Sequence, residues 1–186
     1  MIAPIDLGIC GGYEYAGDPE RTAIVLPGAM LVGMPVNAFA IEGVWSRGWR
    51  AILVWDQYLD RKQDELEWVQ ARLEAAVEYA RDATRLLVIG KSLSTLAAGV
   101  AAERGWPAVW LTPLLRNDDV VQMLRRRTAP ALMIGGTADA SWNGALAREL
   151  SDDVLELDGA DHGLAKIEHL PQIVAAVAVF AESDPA

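Results

Sequence analysis

Leu86-Leu87-Val88-Ile89-Gly90-Lys91-Ser92-Leu93-Ser94 passes from four bulky apolar residues through a glycine and a serine into an Ala- and Leu-rich stretch that runs to Glu103. An apolar run that does not alternate with polar residues reads as a strand covered on both faces, as the strands of a parallel sheet are. Outward from it stand further short apolar runs, most of them likewise continuous, at Ala23 to Leu26, Ala51 to Trp55, Ala108 to Leu111, Ala131 to Ile134 and Val154 to Leu157. Helical periodicity fills the intervals. Residues 35 to 47 open on Pro35 and stop at Gly48, and Leu66, Val69, Leu73, Ala76, Val77 and Ala80 recur in steps of three and four behind Asp60 or Asp64 as N-cap. Leu93 to Glu103, Val120 to Arg127 behind Asn117, Trp142 to Leu150 behind Ser141, and Pro171 to Ala181 complete the series. Strand and helix alternate throughout, which predicts a three-layer α/β sandwich around a mostly parallel sheet of about six strands. The first 22 residues add at most one edge strand, around Ile5 to Ile9.

Composition narrows the function. The 186 residues (20.1 kDa) are 52% hydrophobic and 23% charged, so one globular domain over 1–186 is expected. A net charge of −10 repels phosphate backbones and anionic lipid headgroups, which speaks against nucleic-acid and membrane partners. Cys10 is the single cysteine, no Cys/His cluster has metal-ligand spacing, and no apolar stretch reaches the roughly 20 residues of a membrane span. A reducing cytoplasm is the expected location, with no metal or organic cofactor implied.

The chemistry begins at Ser92. A serine on a sharp turn between a strand and a helix lifts its hydroxyl into solvent, and Gly90 removes a side chain where the turn is tight. The Leu93 amide then stands at a helix N-terminus, facing the oxygen that becomes negative during attack on a carbonyl. The alternative is that Ser92 merely caps the helix. A hydroxyl attacks only if a base takes its proton, and the chain has two histidines. His162, in Asp158-Gly159-Ala160-Asp161-His162-Gly163-Leu164, follows the last strand and falls on the sheet edge of Ser92, whereas His169 reads as a solvated residue at a helix start. The acid that orients the base is Asp139, in the Gly-rich turn after Ala131 to Ile134; Asp118 and Asp119 are fallbacks that also read as a helix's acidic first turn.

Gly90-Lys91-Ser92-Leu93-Ser94, Asp139 behind Gly135-Gly136-Thr137, and Asp161-His162-Gly163 stand in the order Ser, Asp, His. In that order the chain, over about residues 22–182, resembles the small, single-domain bacterial members of the α/β-hydrolase superfamily. The resemblance implies a second oxyanion amide from the loop after an early strand, which falls on Ala29, or failing that Met30, in Leu26-Pro27-Gly28-Ala29-Met30. Two features depart from the family pattern: Ser94 replaces the last glycine of the elbow, and the family's first antiparallel strands look missing or degenerate. Only Thr112 to Thr128 separate the strand ending at Leu111 from the Ala129-Pro130 entry to the next, room for one helix and no lid. The expected pocket is therefore an open cleft walled by Met30 or Leu31 and by Trp142, while most of the seven tryptophans belong to the core. Lys91 reads as a solvated residue or a carboxylate's partner. The expected activity is hydrolysis of a small ester, thioester or related acyl bond in a small-molecule substrate, through a Ser92 acyl-enzyme. A non-catalytic module on the same fold and acyl transfer to an acceptor other than water are the alternatives.

Overall fold

The computed structural model describes residues 1–30, 33–59 and 63–183. The chain runs β1 (Ile2–Asp6), β2 (Gly11–Tyr15), β3 (Asp18–Leu26), α1 (Pro35–Trp45), β4 (Trp49–Trp55), α2 (Glu65–Tyr79) and β5 (Arg85–Lys91). A 3₁₀ turn (Ser92–Ala97) leads into α3 (Ala98–Arg104), and β6 (Ala108–Leu111), α4 (Asp118–Arg125), β7 (Ala131–Gly136), α5 (Gly144–Leu150), β8 (Asp153–Leu157) and α6 (Leu170–Glu182) follow. Every expected strand and helix is present, with ends that differ by a few residues.

One eight-stranded sheet has the order β1-β2-β4-β3-β5-β6-β7-β8. Strands β3 to β8 are parallel, while β1 pairs antiparallel with β2 and β2 antiparallel with β4. The expectation of about six strands is corrected here, because the first residues form a complete hairpin in place of one edge strand. Asp6 accepts from the Gly8 amide at 2.8 Å to turn the chain, and the Leu7 amide donates to the Cys10 carbonyl. The antiparallel strands that looked missing are thus short but real.

Helices cover both faces. Helices α1 and α6 pack together on one side, over Ala23, Val25, Leu87, Ile89, Val109, Leu111, Leu132 and Ile134. On the other, α2 to α5 bury Trp68, Leu73, Leu124 and Leu150 against Ile24, Val88, Trp110 and Met133. Residues of opposite parity along each strand supply the two cores, which is why the strand sequences do not alternate with polar residues. Asp64 caps α2 by accepting from the Glu67 amide at 2.9 Å, and Asn117 caps α4. Asp60, the other cap candidate for α2, lies outside the described residues. Helix α5 is capped by Asn143 and not by Ser141, whose side chain is engaged elsewhere. A single helix, α4, joins β6 to β7, so the expected absence of a lid at this connection holds. No helix among the described residues is long and apolar enough to cross a membrane.

The strand order reverses between β3 and β5. Chain leaving the carboxyl end of β3 turns one way and chain leaving β5 the other, which opens a crevice at that edge of the sheet.

Candidate active site

Ser92 is the first residue after β5 and has φ 50°, a left-handed conformation uncommon for a residue with a side chain. The turn that forces it depends on Gly90, where a Cβ would stand 2.6 Å from the Trp110 ring and 2.9 Å from the Ser94 carbonyl oxygen. The hydroxyl is thereby aimed across the crevice, where Ser92 Oγ lies 2.8 Å from His162 Nε2. His162 Nδ1 lies 2.8 Å from Asp139 Oδ2. The structure brings these three side chains into one hydrogen-bonded line. Asp118 and Asp119 sit exposed in the first turn of α4, Asp158 accepts from Thr137, and Asp161 accepts from Gly163 within its own loop.

Asp139 is almost wholly buried, and burial pushes its carboxyl up. Ser141 opposes this with its hydroxyl at 2.7 Å and its amide at 2.8 Å, His162 adds a third contact, and the net result is a pKa below the ordinary carboxylate value. Ser141 Oγ also stands 3.1 Å from His162 Nδ1. The sequence marked Ser141 only as a helix cap; its place two residues after Asp139 on a tight turn was the available sign that it could fold back on the carboxylate.

The crevice holds a cavity of about 290 Å³ lined by Gly28, Ala29, Met30, Met34, Lys91, Ser92, His162 and Gly163. Its loop after β3 is gripped from two sides: the Tyr58 amide donates to the Ala29 carbonyl at 3.1 Å, and Ser94 Oγ donates to the Pro27 carbonyl at 2.5 Å. The hydroxyl that replaces the elbow glycine therefore ties the elbow to the loop carrying Ala29. Leu93 is the second residue of the 3₁₀ turn, where a backbone N–H has no carbonyl one turn earlier to accept it.

Three expectations are corrected. Trp142 does not wall the cavity: its indole lies where a Cβ on Gly135 would be, 2.1 Å from the ring, and its N–H donates to Glu156 at 2.7 Å. The missing side chain at Gly135 makes this tryptophan part of the α5 side of the core. His169 is buried at the start of α6, not solvated. Lys91 is buried as well, with Nζ donating to the His162 carbonyl at 3.0 Å and to Thr112 Oγ1 at 3.3 Å. Parity was the overlooked signal, since Lys91 continues the Leu87, Ile89 face that packs beneath α1 and α6. Met30 is exposed on the cavity rim, Leu31 lies outside the described residues, and Met34, just before Pro35 of α1, supplies a wall the sequence did not mark.

No family model matches the chain, and no curated protein is significantly similar to it. Solved structures are similar throughout its length. Est1E from Butyrivibrio proteoclasticus superposes with TM-score 0.76 at 15% identity, covering 96% of each chain. A serine hydrolase without lid from Xanthomonas campestris gives TM-score 0.73 at 15% identity, covering 100% of this chain and 96% of that one. Dienelactone hydrolase from Anabaena variabilis gives 0.72 at 16%, covering 97% and 95%. The chain has the α/β-hydrolase fold in its lidless form.

Proposed function

We propose that the protein is a serine hydrolase that cleaves small esters, thioesters or related acyl bonds. The observation that carries this reading is the line from Ser92 Oγ through both nitrogens of His162 to Asp139, with 2.8 Å at each end and the serine facing the cavity. His162 Nε2 takes the Ser92 proton as Oγ attacks the substrate carbonyl carbon, and Asp139 holds the ring with Nδ1–H pointed away from the serine. The carbonyl oxygen becomes an oxyanion between the Leu93 and Ala29 amides. As the tetrahedral intermediate collapses, the bond to the leaving alcohol or thiol breaks and His162 returns its proton to that group. Water then attacks the acyl-enzyme by the same route, with His162 again as base, and the acid product leaves Ser92 free. A set of groups complete in nucleophile, base and orienting acid favours an enzyme over a non-catalytic module on the same fold.

The substrate is a small molecule, because a cavity of about 290 Å³ lies at the small end of ligand pockets and carries no lid. The lone thiol, Cys10, supports a reducing, cytoplasmic setting. Incubation with a fluorophosphonate, followed by peptide mapping, tests the assignment: label on Ser92, abolished in Ser92→Ala, supports it, and label on Ser94, Cys10 or nowhere defeats it. Activity on p-nitrophenyl esters is expected to fall from acetate and butyrate to palmitate, since each further methylene adds about 0.8 kcal/mol only while it is buried. A preference for palmitate would overturn the small-substrate reading.

A further inference from the structure

Among the described residues, those other than glycine that are left-handed converge on one side chain. They are Ser92 at φ 50°, Thr112 at φ 46° and Leu164 at φ 50°, and for β-branched Thr112 the conformation is a marked outlier. Ser92 follows Lys91 in the chain, Thr112 accepts from Lys91 Nζ, and Leu164 lies two residues beyond His162, whose carbonyl accepts from the same ammonium. Strain of this kind persists only where the surroundings over-determine it, and it collects at functional sites. Lys91 is 4% exposed, and no carboxylate among the described residues stands within ion-pair distance of it. A buried ammonium without a carboxylate partner is costly, so its position calls for an explanation other than stability.

We propose that Lys91 is a positioning residue, which ties the main chain of His162 to the strand that ends just before Ser92 and so sets the distance between base and nucleophile. This rests on the reading of Ser92 and His162 as nucleophile and base. The start of the His162 loop is held to the turn after β7, where the Ala160 carbonyl accepts from the Ala138 amide at 3.0 Å and the Gly159 amide donates to Thr137 Oγ1 at 2.7 Å. From Asp161 onward the main-chain bonds are short-range, Gly163 N to Asp161 Oδ1 at 2.9 Å and Leu164 N to the Asp161 carbonyl at 3.2 Å, and they shape the turn without joining the His162 peptide to β5. Lys91 reaches it from β5, with a stem that also floors the cavity beneath Gly28. The tether depends on charge, since an ionised donor makes a hydrogen bond about twice as strong as a neutral one. Burial depresses the ammonium's pKa to about 8 against the pull of Asp139 and Asp161, the carboxylates that face it from the β7 and β8 loops, with the His162 peptide and the Thr112 hydroxyl completing its surroundings. The tether therefore weakens in the mildly alkaline range.

The test compares wild type with Lys91→Met, a side chain of similar length without charge or donor. Fluorophosphonate labelling rates, kcat and KM on p-nitrophenyl acetate and thermal unfolding are each measured from pH 6 to 9.5. Displacing a catalytic group by about 1 Å can cost 10²-fold, so labelling rate and kcat are expected to fall about 10- to 100-fold in Lys91→Met, with KM changed less than about twofold and the unfolding temperature at pH 7 not lowered. Wild-type kcat falls through an ionisation near 8 that the variant lacks. Wild-type labelling at Ser92 with an equally fast Lys91→Met overturns the inference and leaves the hydrolase reading standing, and so does a variant that loses stability and activity together with a changed KM. If wild type itself is not labelled, both readings fall. Should Lys91→Met not fold, the wild-type profile decides: a fall near pH 8 without unfolding supports the tether, and a rate flat or rising to pH 9.5 overturns it.

Discussion

Two buried cations sit at opposite ends of the same sheet, and they are treated differently. Arg50, near the amino end of β4, is 7% exposed and fully engaged: its guanidinium spans both oxygens of Asp82 at 2.6 and 3.2 Å, donates to Thr22 Oγ1 at 2.8 Å and reaches the Pro19 carbonyl at 3.2 Å. The Arg50 hydrogen bonds hold the Asp82 carboxyl below its ordinary range. Lys91, at the carboxyl end of β5, has a carbonyl and a hydroxyl for partners and, among the described residues, no carboxylate at ion-pair distance. The amino end has satisfied its charge, while the carboxyl end keeps an unneutralised ammonium, a strained serine and a cavity. An edge organised for stability and one organised for chemistry should respond in opposite ways to substitution.

The largest separation is expected from Ser92→Ala. Activity falls by about 10⁴-fold or more, while stability moves by no more than about 0.5 kcal/mol, because the hydroxyl faces the cavity and not the core. Combining it with His162→Ala adds little further loss, since the two groups act as a unit. Losses that multiplied would mean that the residues do not share one proton transfer.

Next comes the pH dependence of stability. The Lys91 pKa of about 8 in the folded protein lies below its ordinary 10.5. Between those values the unfolded chain binds a proton that the native state does not, so stability from this group rises with pH through the window, and below about 8 the full cost of the buried charge remains. The gain across the window is about 3 kcal/mol at one pKa unit per 1.36 kcal/mol. Tyr15 and Tyr79, whose phenols burial pushes up, titrate in the opposite sense, so the quantity to measure is the denaturant stability of wild type minus that of Lys91→Met from pH 8 to 10.5. A difference that does not grow with pH would mean that Lys91 carries a compensated charge like Arg50. The matching experiment, Arg50→Met, should cost about 1–3 kcal/mol from the lost hydrogen bonds of a buried donor and leave kcat unchanged. A drop in kcat without loss of stability would erase the distinction between the two edges.

The two edges were also unequally legible in the sequence. Ser92 and Asp139 follow continuous apolar strands and His162 the mixed strand β8, and a parallel sheet sends every such loop to one side, so their meeting could be read from strand positions alone. Arg50, Lys91 and His169 could not be found that way, because charge suggests exposure and only face parity or the packing of a neighbouring helix overrides it. The β1–β2 hairpin escaped for a different reason. Its exposed edge strand, Ile2-Ala3-Pro4-Ile5-Asp6, buries little on either face and carries Gly11 and Gly12 in its partner, so hydrophobic alternation is weak. Trp142 was misplaced because room for its indole is made by the absence of a side chain at Gly135, seven residues away in sequence.

The smallest predicted effect probes whether hydrogen bonds at the carboxyl end serve chemistry more than folding. Ser141→Ala removes the 2.7 Å bond to Asp139 Oδ1 but leaves the 2.8 Å bond from the residue's own amide, so the carboxylate keeps a donor and its place against His162. One hydrogen bond to a charged acceptor is worth about 1.5–3 kcal/mol, and the remaining amide and entering water recover part of it. That leaves an expected three- to tenfold fall in kcat at pH 7 with KM unchanged. The variant's stability should also fall earlier on acidification. The stabilisation from Asp139, whose native carboxyl is held below its ordinary 3.8, is complete above that value and disappears as pH drops through the native one; removing a donor raises the native value and narrows the window. Steady-state kinetics and acid unfolding followed by tryptophan fluorescence measure the two effects. A kcat as low as that of Asp139→Ala would mean that Ser141 alone holds the carboxylate in place. An unchanged kcat with reduced stability at pH 7 would put Ser141 with the bonds around Arg50, as part of the scaffold.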